Sequence, residues 1–571
     1  MSRLGTVYNG AAAGVICDQH SANKRNAITK WQQITNGGNG MQQKPNILWV
    51  SFEDCYPYFG CYGDPVAHTP NLDRLAAEGC LWTHAFSTAP VCSPARSAVI
   101  TGMYPVSIGT HHHRTSTGAN YDFPHDYEAV APHYVKCFPE YLRAAGYYCT
   151  NNAKTDYQFS PPVTAWDDCS SGGHWRHRPD PQQPFFAVWN LTQTHESGMW
   201  EDKWPDLDFD LDKIEVPPYF PDTPKVRRAL ARMYANIEVS DRRLGEILAE
   251  LEEDGLAKNT VVFIWTDHGP MPRGKRWPYD SGIRSPLIVR WPGVLEPGAV
   301  SDRLVSTVDL GPTVLSICGV ELPYHLQGQP FLGAKATSPR QYVFAARDRY
   351  DEMYDTTRAV RDQRFKYMRH YHPEEPYMRY NRYRNIHPIM QELWRLHVAG
   401  ELTGPPAQLM QGHRPAEELY DTESDPHEIH NLAADPAYTA ELVRLRAALD
   451  AWQREVHDLG LIPEDVMVRQ MWPDGVQPLT LPPLFVALGG NNFGLADSPD
   501  GGEFEGPILL QMQSNTQGAS IAYTFETGDD VHWQLYHEPL RLPNGATHIR
   551  AKAIRIGYRE SDEVQATFMV R

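Results

Sequence analysis

Two short apolar runs, each ending in acid, constrain this chain more than any other feature. Residues 47–52 read Ile-Leu-Trp-Val-Ser-Phe and are followed at once by Glu53 and Asp54; residues 261–265 read Val-Val-Phe-Ile-Trp and are followed, after one threonine, by Asp267, His268 and Gly269. Apolar runs this short read as buried strands. In an open parallel sheet, ligands bind beyond the carboxyl ends of the strands, so two such ends can bring Glu53, Asp54, Asp267 and His268 to one crevice. Three carboxylates suit a hard divalent cation. Calcium is the first expectation, and coordination by the His268 imidazole would shift weight towards manganese or zinc. A single strand-end carboxylate is more often a helix cap or a turn residue; two such ends in one chain make a shared site the better reading.

Between them stands Cys92-Ser93-Pro94-Ala95-Arg96, which continues as Ser-Ala-Val-Ile-Thr-Gly. A lone Cys-Ser-Pro reads as an inert thiol before a turn. The extended string resembles the maturation signal of the type I, formylglycine-dependent sulfatases of the alkaline phosphatase superfamily, in particular bacterial arylsulfatases. The resemblance covers most of residues 44–440. It implies that a separate formylglycine-generating enzyme oxidises Cys92 to formylglycine, whose hydrate is the nucleophile. One hydroxyl of the hydrate attacks sulfur; the other is later deprotonated, so that the aldehyde re-forms and sulfate leaves by C–O cleavage, which divides one hard step into two easier ones.

Further residues carry roles by the same resemblance. Glu53, where an aspartate is usual, joins Asp54, Asp267 and His268 as a metal ligand, and Arg96 braces the formylglycine. In "GYYCTNNAKTDYQF", Lys154 falls on the lysine that contacts sulfate, and Asp156 stands where a histidine is common; it either accepts a proton from the hydrate or holds Lys154 in place. In "FFAVWNLTQTHES", His195 matches the histidine that donates to the leaving oxygen, as a general acid titrating near neutrality should. In "RGKRWPYDSGIRSPLIVRWPG", Lys275 aligns with a sulfate-binding lysine, and Arg276 is its neighbouring alternative, able to grip the same oxygens bidentately. The expected catalytic set is therefore Cys92, Arg96, Lys154, Asp156, His195 and Lys275.

Two segments supply candidate substrate contacts. His111-His112-His113-Arg114 follows the nucleophile segment closely, which nominates His112 and Arg114, and the Arg/Tyr/His-rich stretch 340–395 nominates Arg347 and Asp348, with Asp351 nearby. The other reading of both segments is a salt-bridged surface or an oligomer contact. Interleaved Arg and Tyr could line a nucleic-acid groove, but the acids within the stretch and the formal net charge of -18 argue against one. The same net charge repels an anionic substrate at long range, so local cations must outweigh it.

The 571 residues are expected to form an α/β fold: a large mixed, mostly parallel sheet sandwiched by helices, with a smaller C-terminal α+β subdomain and a terminal β-sandwich. The expected boundaries are an N-terminal arm or leader at 1–43, the catalytic domain at 44–340, the subdomain at 341–470, a linker at 471–503 and the sandwich at 504–571. The last resembles the small module at the C-terminus of some chitobiases. Nine scattered cysteines, an odd number, favour a reducing compartment, and no secretory signal or membrane-spanning run is evident; a cytoplasmic bacterial protein is expected, as a monomer or a homo-oligomer. The expected function is hydrolysis of small-molecule or glycan sulfate monoesters, of the arylsulfatase type. Hydrolysis of phosphonate monoesters or phosphodiesters on the same site is the alternative, and a catalytically silent binder of sulfated glycan is the alternative of another class.

Overall fold

The structure is a computed structural model that describes residues 44–115, 126–203, 209–270, 272–490 and 492–571; the expected arm or leader at 1–43 lies outside the described residues. Its centre is a nine-stranded sheet built from β1 (Asn46–Phe52), β2 (Cys80–Phe86), β3 (Tyr148–Asn152), β4 (Asp168–Cys169), β5 (Phe185–Leu191), β6 (Thr260–Thr266), β7 (Arg284–Arg290), β8 (Ala299–Ser301) and β9 (Val305–Ser306). The strand order is β4-β3-β5-β1-β6-β7-β2-β8, with β9 also on β2. All pairings are parallel except those of β7, which runs against both β6 and β2.

Every residue of β1 and β6 is buried, as expected of strands covered on both faces. Side-chain alternation sends Leu48, Val50 and Phe52 into one core and Ile47 and Trp49 into the other. Trp49 meets Phe186, Phe263 and Trp265 with ring centroids 5.1–6.1 Å apart. The segment "PNLDRLAAEG" forms the helix Pro70–Glu78. The longer amphipathic segment forms Pro224–Glu253, which presses Leu230, Ile237, Leu244 and Leu248 onto the sheet and stops at Gly255, whose φ of 70° only glycine adopts freely.

Register decides where the site lies. Phe52 pairs with both Leu191 and Thr266, so the residues after β1, β5 and β6 emerge side by side. Asn152 at the end of β3 pairs with Trp189, which brings the following loop to the same edge. Because β7 is antiparallel to β6 and to β2, β2 points the same way as β6, and the helix Cys92–Thr101 that follows it starts at that edge too.

A second sheet of β10 (Val343–Arg347), β11 (Thr357–Arg361), β12 (Phe365–His370) and β13 (Glu417–Asp421) is antiparallel and packs Val360, Tyr367 and Leu419 against Leu445, Leu449 and Trp452 of the helix Thr439–Glu455. The tail forms a four-stranded and a five-stranded sheet around Phe485, Leu510, Ile549 and Phe568. Its strands begin at β14 (Leu484–Gly489), so the segment read as a linker, 471–503, already contributes to the sandwich. The Pro-rich stretch ends just before residue 484, and the run that follows buries alternate residues as a half-exposed strand does.

Candidate active site

Cys92 opens its helix, fully buried, with Arg96 one turn on, so both side chains share one helix face. The Cys92 Sγ lies 3.2 Å from His268 Nε2 and 4.0 Å from Asp54 Oδ1. Ligand atoms of Asp54, Cys92, Asp267 and His268 all fall within 4.8 Å of one another. His268 Nδ1 is 2.9 Å from the Gly269 carbonyl and must donate to it, which leaves the Nε2 lone pair of the neutral ring facing the cluster. Asp54 takes a left-handed backbone (φ 47°), and its N–H donates to Asp267 Oδ1 at 3.2 Å. Burial favours the neutral acids, yet Lys275, His195 and His268 hold Asp54 below the ordinary carboxylate range, and His268 with Arg96 does the same for Asp267. Two buried carboxylates and a presented imidazole nitrogen make a donor set that fits a divalent cation.

Cations ring this cluster. Arg96 donates to Asp267 Oδ2 (3.0 Å) and Asn190 Oδ1 (2.8 Å), while its Nη2 has no partner in the protein. Lys275 donates to Asp54 Oδ2 at 2.8 Å and sits 3.0 Å from Glu196 and 3.3 Å from His195 Nε2. Lys154 pairs with Glu53 and lies 3.7 Å from Asp156, whose Oδ1 accepts from Ser93 at 2.8 Å. Glu53 thus turns to the lysine side, grouping with Cys92 and His195, while Asp54 turns to the His268 side. The Ser197 hydroxyl and backbone N–H lie 2.8 and 3.3 Å from His195 Nδ1, while the Lys275 ammonium, which can only donate, faces Nε2 at 3.3 Å; burial and Lys275 keep the ring neutral, with its pKa down at about 4. Burial also pushes the Cys92 thiol well up, and Asp54 and Asp267 add to this against the opposing Lys275, so the thiol itself is a poor nucleophile.

The structure therefore brings Cys92, Arg96, Lys154, Asp156, His195, Lys275, Glu53, Asp54, Asp267 and His268 to one edge of the sheet. Three of the four expected substrate contacts need correction. His112 faces away: its Nδ1 accepts from the Arg349 backbone at 3.2 Å and its Nε2 is 3.7 Å from Glu464. The site-facing member of the triplet is His113, stacked on Tyr350 (4.4 Å, 7°) and 3.1 Å from Asp351, within electrostatic reach of Asp156. Arg347 is buried against Asp355 (2.6 Å) and over the Trp277 ring (3.5 Å), and Asp348 is buried against Arg358 (3.0 Å), so both serve the interior of the second sheet. Arg114, the fourth, remains at the rim of the site.

Sequence reasoning missed two residues. Glu196 binds Arg276 through both oxygens (2.7 and 3.0 Å) and donates its N–H to Asp54 Oδ2 at 2.8 Å; an acid directly beside His195 was the available signal. Asn190 accepts from Arg96 and donates to Asn151 Oδ1 (2.9 Å) and the Asn152 carbonyl (3.0 Å), tying the nucleophile helix to the Lys154 loop. A polar residue in an otherwise apolar strand was its signal.

Residues 45–166 and 177–320 match the family model described as Sulfatase, and residues 268–394 match that of N-sulphoglucosamine sulphohydrolase, C-terminal. An ulvan-active sulfatase of Formosa agariphila is 40% identical over 566 residues, covering 92% of this chain and 91% of that protein. Human N-sulphoglucosamine sulphohydrolase is 28% identical over 491 residues, covering 76% and 95%. Among solved structures, a sulfatase of Bacteroides thetaiotaomicron matches with a TM-score of 0.54 at 20% identity over 73% of this chain and 93% of that one. A phosphonate monoester hydrolase of Silicibacter pomeroyi matches with a TM-score of 0.53 at 18% identity, over 73% and 97%. These two structures speak for the fold.

Proposed function

The chain belongs to the sulfatase family and is a sulfuric ester hydrolase, and from that premise we propose that it cleaves sulfate monoesters of glycans with a formylglycine made from Cys92. The observation that carries this reading is the convergence of Asp54, Asp267 and His268 on a buried cysteine that is disfavoured as a thiolate. A formylglycine-generating enzyme is the partner needed for maturation, and the modified side chain would supply a hydrated aldehyde as nucleophile towards sulfur. Asp54, Asp267 and His268, with Glu53 beside them, would hold the divalent ion, calcium or, given the imidazole, manganese or zinc; when bound it supplies positive charge next to the sulfate oxygens.

The chain's own groups do the rest. Arg96 Nη2, Lys154 and Lys275 are fixed by carboxylates and an asparagine in advance, so they meet an oxyanion without rearranging. His195 Nε2 and the Lys275 ammonium, 3.3 Å apart, flank one position, and the proton held between them is the one donated to the oxygen on which charge develops as the sugar leaves. Burial alone would raise Asp156, yet Lys154, His113 and Ser93 hold its carboxyl low, which makes it a weak base and favours a positioning role for Lys154. A silent glycan binder gives no account of a nucleophile position so equipped.

Phosphonate monoester hydrolysis is the second reading, favoured by the His268 nitrogen in the ligand cluster. The test compares kcat/KM of matured protein on a sulfated oligosaccharide, p-nitrophenyl sulfate and a phenyl phosphonate ester. Sulfate release from the oligosaccharide is expected to be the fastest; a preference for the phosphonate would reverse the assignment.

A further inference from the structure

Of the cations placed at the site, Arg96, Lys154, Lys275 and Arg276 are matched to carboxylates, and Arg114 is not; Arg384, deeper and fully buried, also lacks one but is closed to any ligand. Arg96 has Asp267, Lys275 has Asp54 and Glu196, Arg276 has Glu196, and Lys154 has Glu53 and Asp156. Among the described residues no carboxylate stands within ion-pair distance of Arg114 and no acceptor within hydrogen-bond distance of its guanidinium; its contact is the Tyr383 ring, 5.2 Å from Cζ. That ring lies 5.3 Å from Trp200 and 6.5 Å from His195, so an aromatic wall starts at the leaving-group histidine and ends at Arg114. Arg114, Tyr383 and Trp200 are each half-buried, open enough to be touched.

Arg114 is also held in place. Its backbone is left-handed (φ 54°), a conformation an arginine keeps only where its surroundings impose it. The residue before it, His113, is anchored: it is stacked on Tyr350, bonded to Asp351 and tied by its N–H to the Arg349 carbonyl at 3.0 Å. Among the described residues Asp351 and Asp156 favour the Arg114 charge only from a distance, so its donors, half-withdrawn from water, are not met by an acceptor. Its five donors in a planar fork suit a carboxylate or sulfate gripped bidentately, and the adjoining rings offer faces for the apolar side of a sugar.

We infer that Arg114 recognises a second anionic group, a carboxylate or another sulfate, on a sugar seated against the Tyr383 and Trp200 rings, so that the preferred substrate is a glycan with an acidic group beside its scissile sulfate. The inference rests on the sulfatase reading above. The experiment measures kcat and KM of matured wild type, Arg114→Gln and Arg114→Lys on three sulfated disaccharides: one bearing a uronate, its carboxyl-reduced alcohol, and a disulfated one without carboxylate. Wild type is expected to prefer at least one acidic form over the alcohol by roughly 10- to 100-fold, the worth of a charged hydrogen bond, mainly through KM. Arg114→Gln should erase that preference and Arg114→Lys should keep part of it, a rescue that a purely structural role would not produce. Equal kcat/KM on all three in wild type, or a preference that survives Arg114→Gln, overturns the inference. If wild type releases sulfate from p-nitrophenyl sulfate but shows no preference, Arg114 does not bind a second anion; if it releases sulfate from no ester, the sulfatase reading falls and this inference with it.

Discussion

Glu196 balances the charges of the site. One buried carboxylate answers both Arg276 and Lys275, while the backbone of the same residue anchors Asp54. Arg276 is itself fully buried, in a left-handed backbone (φ 84°), and leans on the Tyr350 ring at 4.4 Å. Glu196→Gln preserves shape but removes the charge, leaving the buried Arg276 without its carboxylate and Lys275 with Asp54 alone. A lost buried pair costs about 3–5 kcal/mol, so urea unfolding should show a loss of that order, with kcat reduced and Glu196→Asp intermediate. An unchanged unfolding midpoint would show that Glu196 is not the balancing charge. None of this was legible from residue type alone. In the same way, His111, His112 and His113 are indistinguishable in sequence, and the path of the loop decides which ring faces the site.

Strands and their ends were the most legible elements. β1 and β6 announce themselves because a strand covered on both faces must be apolar throughout, and the acids just beyond them stand out. Arg347 and Asp348 misled for the opposite reason. Charges at the end of β10 read as exposed, whereas the second sheet pairs them internally with Asp355 and Arg358. Burial, reinforced by Asp458 and opposed by Arg358, pushes the Asp348 carboxyl up to about 7. The unfolded chain titrates it near 3.9, so its stabilising share is complete below about pH 4 and is lost as pH rises through about 7. Asp348→Asn should therefore gain in melting temperature over wild type between pH 5 and pH 8, by roughly 2 °C or more. A difference that stays flat across that window would refute the shift.

At the scale of the molecule, the sheet edge gathers four strand ends and one helix start into a single crevice, and the tail closes around the same body. Lys136 donates to the Gly518 carbonyl (2.6 Å), Arg143 to the Trp533 carbonyl (2.7 Å), and Ile556 enters one of the two cores of the main sheet. The sandwich is thus packed onto the catalytic layers through specific contacts. The formal charge of -18 sets a repulsive far field for any sulfated glycan, which the rim and site cations must reverse at short range. All of this serves one claim, that Cys92 acts after oxidation. The most direct measurement is the mass of the peptide spanning Cys92, from protein made together with a formylglycine-generating enzyme, taken alongside sulfate release. The account predicts a peptide about 18 Da lighter than the thiol form, turnover in proportion to the converted fraction, and none from Cys92→Ala. Full turnover by protein whose Cys92 is still a thiol would contradict it.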